Sequence, residues 1–254
     1  MKSSGGSITG SYSIVDTTIS GDLARIMVPT NRIAGTALVW CHGLGQFVSN
    51  MNEFSLTIPT LNHYYWSKAI ENRYLNAACM MGGPNQWDNP TAQTACENLV
   101  AYLVANYGVT EVVLTGGSAG GPLGLMKATQ GFPGVTVKGW HGIFPVCDLS
   151  VAHGNANLTA SINIAFPSYP TGTTGRDPMQ FAASAFNGLR LRCMGSLADA
   201  TVPVNQHGQA LVTLATGHAT EATCILTTGD HGDPSNFTAA LGDDFISFLG
   251  RCFS

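Results

Sequence analysis

The sequence is short of charge. Lys and Arg number 11 and Asp and Glu 15, so charged residues make up 10% of the 254, against about 25% in an average soluble domain. The net charge is −4 and no basic block occurs, which argues against a nucleic-acid footprint. No apolar run approaches the roughly 18 residues of a membrane span. Met1–Gly10 carries one lysine and no apolar core, so it does not read as a signal peptide. Seven cysteines occur, at 41, 79, 96, 147, 193, 224 and 252, without a C-x-x-C pair. A zinc or iron–sulfur site is therefore not expected, and the odd count leaves at least one thiol unpaired within the chain.

What remains is a globular composition, 44% hydrophobic, long enough for one large domain. The surface has to be made mostly of Gly, Ser, Thr, Asn and Ala, which suits an extracellular or particle-associated protein. The compartment and the oligomeric state are not written in the sequence.

Along the chain, short apolar runs alternate with helical segments. Strands are expected at Tyr12–Val15 and Ala24–Val28, with a turn around Ser20-Gly21-Asp22 between them. Further strands are expected at Thr36–Cys41, Leu75–Met80, Val112–Leu114, Val137–Val146, Leu189–Met194 and Thr223–Leu226. Continuous apolar runs of this kind mark strands buried on both faces. Helices are expected over Leu61–Glu71, Thr91–Tyr107, Leu123–Thr129, Val204–Thr216 and Phe237–Leu249. The pattern predicts an α/β fold, one domain over 1–254, with a mostly parallel sheet covered on both sides. Residues 148–188 are rich in Asn, Gly, Thr and Pro and are too long for an ordinary loop. They read as a cap insert with short helices near Ala160 and Met179–Phe186.

One stretch organises the rest. Gly116-Gly117-Ser118-Ala119-Gly120 reads G-x-S-x-G between a strand and a helix, the pattern of a nucleophile elbow. A serine needs a base to attack at neutral pH, and an imidazole held by a carboxylate supplies it. Sites in parallel sheets form at the C-terminal ends of strands. Ser118, Asp199, His231 and the His42-Gly43-Leu44-Gly45 loop all fall at such ends, and the order Ser, Asp, His suits this elbow. Asp148, after the sixth strand, is the rival acid. Asp230 adjoins His231 and reads as a loop-shaping residue.

These motifs resemble those of α/β-hydrolase-fold serine hydrolases, from about residue 23 to the C-terminus. His42-Gly43-Leu44 is similar to the family's oxyanion loop, Gly116–Gly120 to its elbow, and Asp199-Ala200-Thr201-Val202-Pro203 to its D-x-x-V-P acid motif. The resemblance implies a Ser118–His231–Asp199 triad with an oxyanion hole from the backbone N–H groups of Leu44 and Ala119. His42 then reads as a loop anchor. It implies neither metal nor cofactor, and a carboxylic ester as substrate, on a small molecule or a polymer such as a decorated polysaccharide. Peptidases, thioesterases and acyltransferases share the constellation. A non-catalytic module of a secreted assembly or virus particle is the reading from another class. Phe47, Trp87, Trp140 and His141 are candidate pocket residues, with ordinary packing as the competing reading for each.

Overall fold

The computed structural model describes residues 11–45 and 62–254, with the side chains of residues 62 and 63 left aside. Phe47 and Leu61, both named above, lie outside the described residues.

The chain opens with a hairpin, β1 (Tyr12–Ile19) and β2 (Asp22–Pro29), paired antiparallel. Its turn uses Ser20 at φ 50° and Gly21 at φ 89°. Two consecutive positive φ values match the right-handed strand twist, which is why such tight hairpins tolerate them. The remaining strands are β3 (Thr36–Cys41), β4 (Leu75–Cys79), β5 (Glu111–Gly117), β6 (Thr136–Ile143), β7 (Arg190–Ser196) and β8 (Glu221–Thr227). Together the described strands form one sheet in the order β1-β2-β4-β3-β5-β6-β7-β8. β2 pairs antiparallel with β4, and every pairing from β4 through to β8 is parallel.

Successive residues along a strand face opposite sides, and the core divides accordingly. Ala37, Val39, Cys41, Val112, Leu114, Leu191 and Cys193 face one side. There they meet α2 (Pro90–Tyr107), α3 (Gly121–Gln130) and α6 (Gly208–Ala215). Leu38, Trp40, Val113 and Met194 face the other. They meet a wide turn at Asn62–Ser67, the short α1 (Lys68–Glu71) and α7 (Ala239–Cys252). The expected helix over Leu61–Glu71 is thus mostly a π-helical turn, which buries Tyr65 and Trp66 together. α6 starts at Gly208, later than the expected Val204, because Val204 and His207 make the turn off the strand.

α2 is the best-specified helix. Asn89 caps it by accepting the Ala92 N–H at 3.0 Å, Pro90 opens it, and Gly108 closes it at φ 62°. Each device satisfies or avoids a free backbone group at a helix end.

Between β6 and β7 the chain builds α4 (Leu149–His153), α5 (Ala156–Ala165) and short 3-10 turns at Thr171–Thr173, Pro178–Gln180 and Ala183–Phe186. Leu149, Ala152, Leu158, Ile162 and Phe166 from this segment share one apolar cluster with Ala119, Trp87 and Val202. Asn155 ties it down further by donating to the carbonyl oxygens of Ala200 and Thr201, both at 3.1 Å.

Candidate active site

Strand β5 runs straight into the elbow. Ser118 sits at φ 48°, a left-handed conformation that costs a non-glycine residue about 1 kcal/mol or more and needs surrounding support. The support comes from the two glycines of the motif. A Cβ on Gly116 would lie 2.8 Å from the Gly120 carbonyl oxygen, and one on Gly120 would enter the carbonyls of Cys41 and His42. The elbow and the β3 loop are therefore in direct backbone contact. A 3-10 turn over Ser118–Gly120 leads into α3, with Pro122 in the first turn. The free N–H groups and positive dipole end of this helical segment point back toward the serine. The Val146 N–H holds the elbow from the other side, donating to the Ser118 carbonyl oxygen at 2.9 Å.

His231 follows β8, and its ring stands between serine and carboxylate. Ser118 Oγ lies 3.0 Å from Nε2, and Nδ1 lies 2.6 Å from Asp199 Oδ2. In the tautomer this arrangement favours, the serine hydroxyl donates to Nε2 and the Nδ1–H donates to the carboxylate. The other Asp199 oxygen accepts the N–H groups of Thr201 at 2.9 Å and Val202 at 2.7 Å. Burial of Asp199 works to raise its pKa, but the His231 hydrogen bond and those two backbone donors outweigh it, so the carboxyl stays below its usual range.

The rival acid is occupied elsewhere. Asp148 Oδ1 caps α4 by accepting the N–H groups of Ser150 and Val151, both at 2.9 Å. The Asp148 N–H and the Cys147 N–H donate to Nδ1 of His207 at 3.2 and 3.3 Å. Nδ1 must be unprotonated to accept them, and burial lowers the His207 pKa to about 4. His207 thus braces the end of β6 as a neutral ring.

His42, Gly43 and Leu44 follow directly on the end of β3. His42 Nε2 lies 2.9 Å from the Met80 carbonyl oxygen, which anchors the loop to the end of β4. Leu44 packs on the cluster that holds Ala119. Between them lies a cavity of about 10 Å³ lined by His42, Leu44, Trp87, Ala119 and Leu123, room for one water-sized group.

The candidate pocket residues part company. Trp87, at φ 53°, is buried in the same cluster as Ala119. Trp140 and His141 do not reach the serine, because β6 is covered on both faces. Trp140 is 0% exposed under α3, where a Cβ on Gly124 would lie 2.7 Å from its Nε1. His141 faces the opposite layer, with ring centroids 4.7 Å from Phe245 and 5.5 Å from Tyr65. Burial, then the Arg192 charge, lowers its pKa to about 3. Both are core residues, which corrects the expectation of pocket walls.

Phe144 carries no site signal in the sequence. It takes φ 46° and sets its ring edge-on to His231 at 5.8 Å. Asp230 and Asn236 shape the histidine loop. Asp230 Oδ1 accepts the N–H of His231 at 2.7 Å, while Asn236 accepts from Gly229 N–H and donates to the Asp230 carbonyl. Among the described residues, no group of three or more His, Cys, Asp or Glu is arranged to hold a metal ion. No described helix is long and apolar enough to cross a membrane.

No protein-family model and no curated protein matches the sequence. Solved structures do match the fold. A truncated carbohydrate esterase from gut microbiota superposes with a TM-score of 0.73 at 15% identity, covering 97% of this chain and 99% of that one. An S-formylglutathione hydrolase from Agrobacterium tumefaciens gives 0.71 at 12% identity, with 97% of each chain covered. Oligopeptidase B from Leishmania major gives 0.68 at 12% identity, over 96% of this chain and 37% of that one. With the strand order above, these similarities show that the chain has the α/β-hydrolase fold.

Proposed function

We propose that this protein is a serine hydrolase that cleaves carboxylic esters through an acyl-enzyme. The observation that carries the reading is the continuous relay from Ser118 Oγ through His231 to Asp199, at 3.0 and 2.6 Å. In this reading Ser118 attacks the ester carbonyl as His231 Nε2 takes its proton. Asp199 keeps the ring in the Nδ1–H tautomer and stabilises the imidazolium. The N–H groups of Ala119 and Leu44 receive the developing oxyanion, each donor being worth about 10²–10³ in rate. His231 then returns the proton to the leaving alcohol, and a water attacks by the same route to release the acid.

An ester is preferred over an amide because the solved structures matched along nearly their whole length include an esterase and an S-formylglutathione hydrolase. The carbohydrate esterase among them makes an acyl group on a polysaccharide the first natural substrate to try. Residues 148–188 act in this reading as a cap beside the elbow.

The test is labelling with a fluorophosphonate probe. The folded wild-type protein is expected to take one label at Ser118, and Ser118→Ala none. Activity on p-nitrophenyl esters should fall by about 10⁴ or more in that variant. A correctly folded wild type that takes no label would overturn the reading. A panel of rising acyl length then sizes the pocket.

A further inference from the structure

Cysteines 193 and 224 are register partners on the adjacent parallel strands β7 and β8. Register partners point to the same face of a sheet, here the face covered by α6. Both sulfurs close on one spot: a Cβ on Gly208, the first residue of α6, would lie 3.0 Å from Cys193 Sγ and 3.2 Å from Cys224 Sγ. Glycine leaves the room that the two sulfurs fill. Cys193 Sγ also lies 3.7 Å from the Gly208 carbonyl oxygen, and all seven cysteines are free thiols.

The two differ in access. Cys193 is 1% exposed. Cys224 is half-buried on β8, the last strand of the described sheet. They differ in acidity too. The neighbouring Cys193 side chain and the Arg192 charge hold the Cys224 thiol below its ordinary range, against the pull of burial. The paired sulfur and burial push Cys193 far above it, and burial does the same at Cys79 and Cys147. A half-buried thiol on an edge strand beside a fully buried one is the arrangement in which an attacking and a resolving cysteine divide the work.

We propose that Cys224 and Cys193 form a peroxide-reactive dithiol, a modification site separate from the Ser118 centre. The Cys224 thiolate attacks the peroxide O–O bond, giving a sulfenic acid and hydroxide, which takes up the thiol proton as water. Cys193 sulfur then attacks the sulfenic sulfur, and the displaced hydroxyl leaves as water with the Cys193 proton. Two thiols and one hydrogen peroxide become one disulfide and two waters. The two electrons lost by the thiols reduce the peroxide. The new bond would join the strands whose ends carry Asp199 and His231.

The experiment is timed alkylation of the full, folded chain, before and after hydrogen peroxide, followed by non-reducing digestion and peptide mass mapping. Cys224 is expected to alkylate at least about tenfold faster than Cys79, Cys147 or Cys252. After peroxide, a Cys193–Cys224 linked peptide is expected, reversed by dithiothreitol. Cys193→Ser should stop at a Cys224 sulfenic acid trapped by dimedone, and Cys224→Ser should abolish both products with ester hydrolysis unchanged. The proposal fails if peroxide leaves the pair as thiols, oxidises Cys224 onward without linking it, or joins either partner to Cys147. The wild-type map decides by itself should a variant not fold.

Discussion

The Asp230 carboxylate accepts the backbone N–H of Ala200 at 3.2 Å with the same oxygen that accepts the N–H of His231. One side chain therefore spans the loop that bears His231 and the loop that bears Asp199. The His231–Asp199 distance depends on how those two loops sit against each other. Asp230→Ala removes both bonds and should lower kcat by about tenfold, with KM nearly unchanged, because the substrate contacts stay in place. Asp230→Asn keeps an acceptor oxygen at the same point and should recover most of the rate. Steady-state kinetics of the pair checks this. Equal losses in both variants would mean that the charge, and not the tie, matters.

Asp199 and Asp148 are both carboxylates at strand ends, and their surroundings separate their roles. Asp199 receives the His231 Nδ1–H, whereas Asp148 caps α4. Asp199→Asn should cut kcat by about 10⁴ through the wrong histidine tautomer. Asp148→Asn should stay within about threefold of wild type, since Asn also caps helices well. Ester hydrolysis by the two purified variants decides. A large loss in Asp148→Asn with wild-type activity in Asp199→Asn would move the acid to the other strand end.

Much of the sheet is legible in the sequence. The inner strands overlap apolar runs because burial on both faces leaves little that is polar in them, whereas the edge strands β1 and β8 are only partly buried. The same property hides the fates of Trp140 and His141. A continuous apolar run carries no alternation, so it does not say which residue faces α3, which faces α7, and whether either reaches the serine. α4 is hidden for another reason. Its five residues sit inside a polar, glycine-rich segment, and its only local sign is Asp148 at the cap. A carboxylate after a strand suits a catalytic acid as well as a helix cap, so that sign has two meanings until the hydrogen bonds are seen. Phe144 has no sequence sign at all, since its place beside His231 follows from its backbone angle and from its bond to Met194.

Gly120 sets the distance between the elbow and the loop after β3. A Cβ there would run into the carbonyls of Cys41 and His42, which are backbone and have little freedom to give way. Gly120→Ala should therefore push the β3 loop away from Ala119. The expected result is a loss of at least about 10²-fold in kcat, the scale of a lost oxyanion donor. A fall in thermal midpoint should accompany it. Gly117→Ala is the control, because a Cβ on Gly117 meets nothing within 4 Å, and its stability should stay close to wild type. Thermal melts and kinetics on the two variants test the contrast.

The two buried imidazoles give the stability of this protein a defined dependence on pH. His141 and His207 are held neutral by burial, with folded pKa values lowered from 6.5 to about 3 and about 4. In the unfolded chain both take up a proton near pH 6.5. Between those limits the unfolded state binds more protons, so stability is complete above about pH 6.5 and falls as the pH drops toward the folded values. A tenfold difference in proton affinity between the two states is worth about 1.4 kcal/mol, so the two rings together cost several kcal/mol by about pH 4. Asp199, with its lowered pKa, adds a loss of the same sign at the acid end of this window. His141→Leu removes one of the two protons while leaving an apolar side chain against Phe245 and Phe248. Urea midpoints measured from about pH 7.5 down to about pH 4.5 should fall less steeply in this variant, by about one proton in the linkage slope. An unchanged slope would show that His141 does not stay neutral in the folded protein.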